Sequence, residues 1–281
     1  MPRLPSGAAL VTGASSGIGR ATARALAAAG YPTVATARHP EALADLAAAG
    51  CHTLALDVTD EGSMTRAVRA VEETYGGIAA LINNAGYGEM GPLEEVPIAA
   101  FRRQLETNVV GALRLCQLML PGMRRQGYGR IVNVSTMGGV MAMLGGGAYY
   151  ASKHALEALS DALRAEVAPF GIDVVVIQPG LVWSGFNATA RASAALVPNG
   201  GPYDALKHAL VTRAFGDAAG VPRALGATPE QVAAVIVQAV GTRRPRPRYK
   251  VTEMARVLPV VRRLLPDRGW DALTRRMLGL R

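Results

Sequence analysis

The chain has little of what several protein classes need. Its 281 residues include two cysteines, Cys51 and Cys116, each inside an apolar stretch. They read as buried thiols in a reducing compartment, not as a disulfide or a metal pair. The four histidines, His39, His52, His154 and His208, are scattered, and no His/Cys cluster has the spacing of a metal site. Aromatic residues make up only 5% of the chain. The basic carboxyl-terminal stretch lacks interleaved aromatics, a zinc motif or a helix-turn-helix, so a nucleic-acid binder is not expected. The longest uncharged run, between Arg130 and Lys153, carries Asn133, hydroxyls and many glycines, and is a poor membrane span. Residues 1–7 lack the apolar core of a signal peptide, so a cytoplasmic location is expected. There are no internal repeats.

What is present begins with apolar residues, 50% of the chain, enough for a sizeable core. Short apolar runs alternate with helical stretches. The strands are expected at Ala8–Val11, Thr33–Thr36, Thr53–Val58, Ala79–Gly86, Arg130–Thr136 and Asp173–Ile177. Such alternation calls for an α/β fold of the Rossmann type, a doubly wound parallel sheet of about seven strands with helices on both faces. Residues 1–242 are expected to form this domain. Residues 184–228 break the rhythm, with one helix expected at Tyr203–Phe215. A long irregular insert beside the strand ends reads as a substrate lid.

Three stretches carry chemistry. Thr12 to Gly19, in G-x-x-x-G-x-G spacing, lies between a strand and a helix, where glycines let backbone N–H groups approach a pyrophosphate. The second strand ends in Ala37 and Arg38, not in the acid that pairs with a ribose 2′-hydroxyl. An arginine without that acid suits a 2′-phosphate. Tyr149 and Lys153 are four residues apart at the start of a helix, hence on one face. The ammonium is expected to draw the phenol pKa down from ~10 towards neutrality, so that the tyrosine exchanges protons near pH 7. Asn83 and Asn84 end a strand where ligands bind. Asn108 sits in the middle of the expected helix Ile98–Met123, an unfavourable place for asparagine.

Together these motifs resemble the short-chain dehydrogenase/reductase family, over about residues 7–242. The resemblance rests on Thr12-Gly13, Gly17, Gly19, Asp57-Val58, Asn83 to Gly86, Asn108, Tyr149 with Lys153, and Pro179-Gly180. The texture from Ser135 to Phe170 is similar to the 17β-hydroxysteroid and retinol dehydrogenase branch. The resemblance implies that Tyr149 exchanges a proton with the substrate oxygen and that Lys153 tunes it and holds the nicotinamide ribose. It implies that Asn108 kinks its helix and holds a water. Gly13, Ser15, Ser16, Gly17, Ile18 and Gly19 would hold the pyrophosphate, Asp57 and Val58 the adenine, and Asn84, Ala85 and Gly86 the adenosine side. Pro179, Gly180, Val182 and Ser184 would meet the nicotinamide end.

The family's catalytic serine falls thirteen residues before the tyrosine, on Thr136, with Ser135 just before it. Threonine keeps the hydroxyl but is stiff at χ1. The implied activity is an NADP(H)-dependent oxidoreductase, with NAD(H) as the other cofactor. A non-catalytic nucleotide-binding regulator on the same fold is the alternative. Tyr87, Met141, Met143, Leu144, Tyr150, Trp183 and Phe186 are expected to wall an apolar substrate pocket, suited to a bulky lipophilic ketone or alcohol such as a steroid- or retinoid-like compound. The Ile98–Met123 and Tyr149–Phe170 helices are expected to build a homodimer or homotetramer.

The net charge of +9 is the excess of the last 39 residues, where twelve Arg/Lys face three acids. Prolines at 245 and 247 call for an extended edge segment, and Pro259 and Pro266 are expected to cut the remaining residues into short helical pieces. Trp270, Leu273, Met277 and Leu280 make an apolar stripe beside arginines. This extension suits packing on its own domain, closure over the substrate entrance or a neighbouring subunit, or peripheral contact with an anionic membrane.

Overall fold

The computed structural model describes residues 7–195, 200–214 and 225–280. Seven strands form one parallel sheet: β1 (Ala8–Val11), β2 (Thr33–Ala37), β3 (His52–Ala55), β4 (Ile78–Asn83), β5 (Gly129–Val134), β6 (Ile172–Gln178) and β7 (Arg248–Lys250). Their order is β3-β2-β1-β4-β5-β6-β7, the doubly wound arrangement expected from the alternating pattern. β1, β2, β4 and β5 are buried at every position, as strands covered on both faces must be.

Alternation along each strand feeds two cores. Ala9, Val11, Ala35 and Ile82 pack under α1 (Gly17–Ala28) and α9 (Pro229–Gly241), against Leu26, Val232 and Ile236. Ala8, Leu10, Val34 and Leu81 face the other way. They meet Val68 of α3 (Glu61–Tyr75) and Leu115 and Met119 of α5 (Gly111–Gln126). Each such buried Leu or Val contributes about 1.5–3 kcal/mol relative to an exposed one. α2 (Ala44–Ala48) spans the turn between β2 and β3.

Several expected boundaries move, each for a local reason. β3 stops at Ala55, because Asp57 turns the chain: its carboxylate accepts from the Thr59 N–H at 2.9 Å, and its own N–H donates to Ser63 Oγ at 3.0 Å. β4 stops at Asn83, because the Asn84 and Ala85 amides turn to Thr12 Oγ1, each at 3.0 Å. β5 ends at Val134, ahead of Ser135 and Thr136. The helix expected over Ile98–Met123 is α4 (Ile98–Leu105), a π-helical turn (Glu106–Val110) and α5 in one run.

α6 (Gly147–Val167) carries Tyr149 and Lys153. Beyond β6 lie α7 (Phe186–Ala195) and α8 (Asp204–Ala209), the latter continuing as a π-helical turn through Leu210–Ala214. Phe215, the expected end of that helix, lies outside the described residues, as do 196–199 and 216–224 of the expected lid.

The basic extension is built into the domain. β7 pairs in parallel with β6 through Ile177 and Tyr249. Arg248 of β7 reaches α6, with Nε 3.0 Å from Glu157 and a second nitrogen 2.6 Å from Asp161. α10 (Glu253–Leu264) then runs straight through Pro259, contrary to expectation. Proline in a helix removes one hydrogen bond; here the Thr252 cap on the Ala255 N–H and the burial of Ala255 hold the segment helical. Pro266 does divide the run, capping α11 (Asp267–Met277). Trp270 is 4% exposed, and its indole N–H donates to Ala142 O at 2.8 Å. Among the described residues, no helix is long and apolar enough to cross a membrane.

Candidate active site

A cleft of about 1160 Å³ runs along the carboxyl ends of the strands. Its floor begins in the turn after β1, where Gly13 and Gly17 have φ of 65° and 53°, values that favour glycine. A Cβ on Gly19 would stand 2.3 Å from Gly13 O and 2.4 Å from Asn84 Nδ2, so only glycine fits behind the turn. Asn84 Nδ2 donates to Thr12 O at 2.9 Å and to Gly13 O at 3.2 Å, tying the end of β4 to this turn. Ser16, before α1, makes no side-chain cap bond. The first amides of α1 therefore remain open to an anion at the positive end of the helix dipole. The backbone shape and the open donors fit the pyrophosphate of a dinucleotide.

Ser15, Ser16, Ile18, Asp57, Val58, Asn84, Ala85 and Gly86 line this half of the cleft, and so does Arg38, exposed beyond the buried Ala37. Gly19 lies behind the lining. Asn83 belongs to the core: its Nδ2 donates to Asn133 Oδ1 at 2.9 Å, and Asn133 Nδ2 donates to Ser160 Oγ at 2.8 Å.

The other half holds Tyr149, Lys153, Thr136, Pro179, Gly180, Val182 and Ser184. Lys153 Nζ donates to Val134 O at 2.9 Å and stands 6.0 Å from the centre of the Tyr149 ring. Burial lowers the Lys153 pKa to about 8, with Glu157 opposing the shift. The tyrosine departs from expectation: its pKa is raised, not lowered. Burial of the phenol is the main cause, Tyr150 adds to it, and the Thr136 hydroxyl works in the opposite direction. The reason is geometric. Both groups leave water, and the ammonium spends a donor on the Val134 carbonyl instead of on the phenol.

Thr136 Oγ1 lies 3.3 Å from Pro179 O and accepts from the Gly138 N–H. Ser135 Oγ is buried against Gly139 and has no hydrogen-bond partner among the described residues. Both residues line the cleft, and of the two hydroxyls Thr136 is the one that acts to lower the phenol pKa.

Asn108 is buried in the π-helical turn, behind the cleft. Its Nδ2 donates to Tyr87 O at 2.9 Å and Ser152 Oγ at 3.0 Å, and its Oδ1 accepts from Tyr87 N at 3.1 Å. The local widening of the helix lets it reach the chain after β4. A Cβ on Gly86 would lie 2.9 Å from Asn108 Oδ1 and 3.6 Å from Lys153 Nζ, so a larger residue here would press on the asparagine.

Tyr87, Met141, Met143, Tyr150 and Phe186 line the apolar end as expected. The Tyr150 ring lies between Gly138 and Gly146, where added Cβ atoms would stand 2.3 and 2.5 Å from it, and burial pushes its pKa up to about 12. Leu144 and Trp183 are not on the cleft. Leu144 packs into a third cluster with Leu210 and Leu278, and Trp183 turns to Gly226 while its backbone N–H bonds Ala227 O. Sequence reasoning missed Met90, Met254 and Leu278 on the lining, and Ser152, which accepts from Asn108, in support. Met254 and Leu278 come from the extension, and nothing in their local sequence shows where it folds back. The Ser152 hydroxyl had a signal: it adjoins Lys153.

A parallel sheet whose strand ends carry a pyrophosphate cradle beside a buried Tyr–Lys pair defines a dinucleotide-dependent oxidoreductase. The chain belongs to the short-chain dehydrogenase family, whose family model, described as short chain dehydrogenase, matches residues 7–195. It is an NAD(P)-dependent oxidoreductase. It is 32% identical to an NADPH-dependent 3-dehydrocapnine reductase of Ornithobacterium rhinotracheale, over 94% of this chain and 95% of that one. It is 36% identical to a 3-ketodihydrosphingosine reductase of Bacteroides thetaiotaomicron, over 89% of each. The crystal structure of a short-chain dehydrogenase from Streptomyces avermitilis superposes with a TM-score of 0.75 at 35% identity, covering 96% of this chain and 97% of that one.

Proposed function

We propose that the protein reduces a bulky lipophilic ketone with NADPH, with Tyr149 as proton donor. The observation that carries this is the position of Tyr149, whose buried phenol lies between Thr136, Lys153 and a wall of Met141, Met143, Tyr150 and Phe186. At neutral pH the buried phenol holds its proton, the state in which it can donate to a ketone oxygen, and the Thr136 hydroxyl opposes the burial that makes it a weaker acid. Thr136 Oγ1 orients the carbonyl beside it. Lys153 adds positive charge where negative charge develops on the oxygen. Asn108, joined to Ser152 and the Tyr87 backbone, fixes the wall behind Lys153 and offers a place for a water that reloads the proton. The bound cofactor supplies hydride. Arg38 stands where an acid would have accepted a ribose hydroxyl and gives a 2′-phosphate a charged partner, so NADPH is preferred to NADH.

Two relatives bear the names of 3-keto and 3-dehydro substrates, and the apolar wall suits a long lipophilic ketone of that class as well as a steroid- or retinoid-like one. A non-catalytic nucleotide-binding role would leave the Tyr–Lys pair and the apolar half of the cleft without use. The test is oxidation of NADPH and of NADH with ketones of increasing chain length. We expect turnover to favour NADPH and longer ketones, and Tyr149→Phe to reduce kcat by about 10²–10⁴-fold while cofactor still binds. Near-normal kcat in Tyr149→Phe would remove the tyrosine from the mechanism.

A further inference from the structure

α10 is apolar on two sides, and only one of them is used. Met254 reaches the cleft and Ala255 is buried. On the outside, Val257, Val260 and Leu264 follow at helical spacing and are 54%, 51% and 78% exposed. They account for three of the large apolar side chains left in water on this molecule, and all three lie on one stripe. The same helix carries Arg256, Arg262 and Arg263, and α11, which follows it, carries Arg268, Arg275 and Arg276. The acids Glu253 and Asp267 are taken by Arg256 and Arg262, while Arg263, Arg268 and Arg276 are exposed. Of the +9 carried by residues 243–281, α10 and α11 hold six arginines against Glu253, Asp267 and Asp271, a net of +3.

We propose that the outer face of α10, with the arginines of α11, docks on an anionic lipid bilayer. Two features select that occupant. An apolar stripe without aromatics, flanked by arginines, buries its side chains at the acyl boundary while the guanidinium groups reach the headgroups. The net charge is positive, complementary to anionic lipid; a second copy of the chain, docked face to face by a twofold axis, would bring the same arginines together. Trp270 takes no part, since its indole is buried under Ala142. Met254, on the inner side of α10, and Met277 and Leu278, at the end of α11, border the cleft, so the two helices that dock also wall it.

The test uses the full-length protein and sedimentation with vesicles of phosphatidylcholine alone or mixed with phosphatidylglycerol. It needs no substrate, so its outcome is separate from that of the ketone assay. We expect binding to the mixed vesicles at about 0.01 M salt that weakens by about 0.15 M, as the screening length falls from about 30 to about 8 Å. Arg263→Gln, Arg268→Gln and Arg276→Gln together should lower the partition coefficient about a hundredfold, at about fivefold each. Val257→Ser, Val260→Ser and Leu264→Ser together should also lower it, with the thermal melt and NADPH binding kept as checks on the fold. The proposal is overturned by no binding at low salt, by equal binding to neutral vesicles, or by an apolar triple variant that binds as well as the parent. Doubling of the particle mass through this face, undone by the apolar triple variant, would assign it to a second copy instead.

Discussion

The phenol of Tyr149 and the ammonium of Lys153 both leave water, and desolvation moves each towards its neutral form. For the tyrosine this means a pKa above the usual ~10, hence a proton retained at neutral pH. For the lysine it means about 8. Below that value the ammonium is charged and can meet an anionic or hydroxyl-rich ligand; above it the charge is lost while exposed lysines remain protonated. We predict that kcat/KM for NADPH, which reports groups of the free enzyme, falls as pH rises through about 8. Lys153→Met should flatten this limb of the profile, and an unchanged limb in that variant would assign the ionisation elsewhere. The hydroxyl beside the phenol gives a second test. The Thr136 hydroxyl acts to lower the Tyr149 pKa, whereas Ser135 Oγ is packed against Gly139. Thr136→Ala should therefore cost kcat about 10-fold or more, on the scale of a hydrogen bond to a charged group, and Ser135→Ala much less. The reverse order would move the role to Ser135.

At the scale of elements, close backbone approaches give the site its shape. α1 can start under β4 because Gly19 has no side chain, and α5 can pass Val58 because a Cβ on Gly111 would lie 2.3 Å from Val58 O. Overpacking against backbone that cannot yield costs about 1–3 kcal/mol. Gly19→Ala is therefore expected to weaken NADPH binding about tenfold to a hundredfold in a fluorescence titration; unchanged affinity would show that the turn can open without loss. These elements differ in how well the sequence announces them. The strands, the glycine turn and the Tyr149 helix have periodicities that 3.6- and 2-residue spacing make visible. The π-helical turn at Asn108 leaves a trace, an asparagine in mid-helix, but its form depends on Tyr87 and Ser152, of which Ser152 lies far away in sequence. The direction of the phenol's shift is not legible, because spacing shows that two groups share a face but not that both are buried. Leu144 and Trp183 turn from the cleft because an apolar residue beside it can face either way. Met254 and Leu278 reach the cleft only through the return of the extension, which no local pattern encodes.

For the whole molecule, apolar side chains on α5 and α6 remain partly uncovered. Leu113, Leu159 and Leu163 are half-buried around a small hollow that Cys116 and Leu156 also line. Leu105 of α4 is half-buried and Val110 of the π-helical turn is exposed. A twofold axis across α4–α5 and α6 would set the same leucines against each other, a self-complementary four-helix contact in which residue i meets j and j meets i. Such a contact stabilises by covering area, at about 25 cal/mol per Å² of apolar surface. It would also fix the helices that carry Asn108, Tyr149 and Lys153. We predict a dimer or a dimer of dimers, read by light scattering at micromolar concentration as two or four times the chain mass of 29.3 kDa. Leu159→Arg places two like charges near each other across such an axis, and a half-buried leucine at a helix surface can be replaced by arginine with its stem still covering the apolar ground. The variant should scatter as a monomer and retain its thermal transition. A parent protein that is monomeric throughout this range would rule the interface out, and a Leu159→Arg protein that stays oligomeric would place the contact on another face.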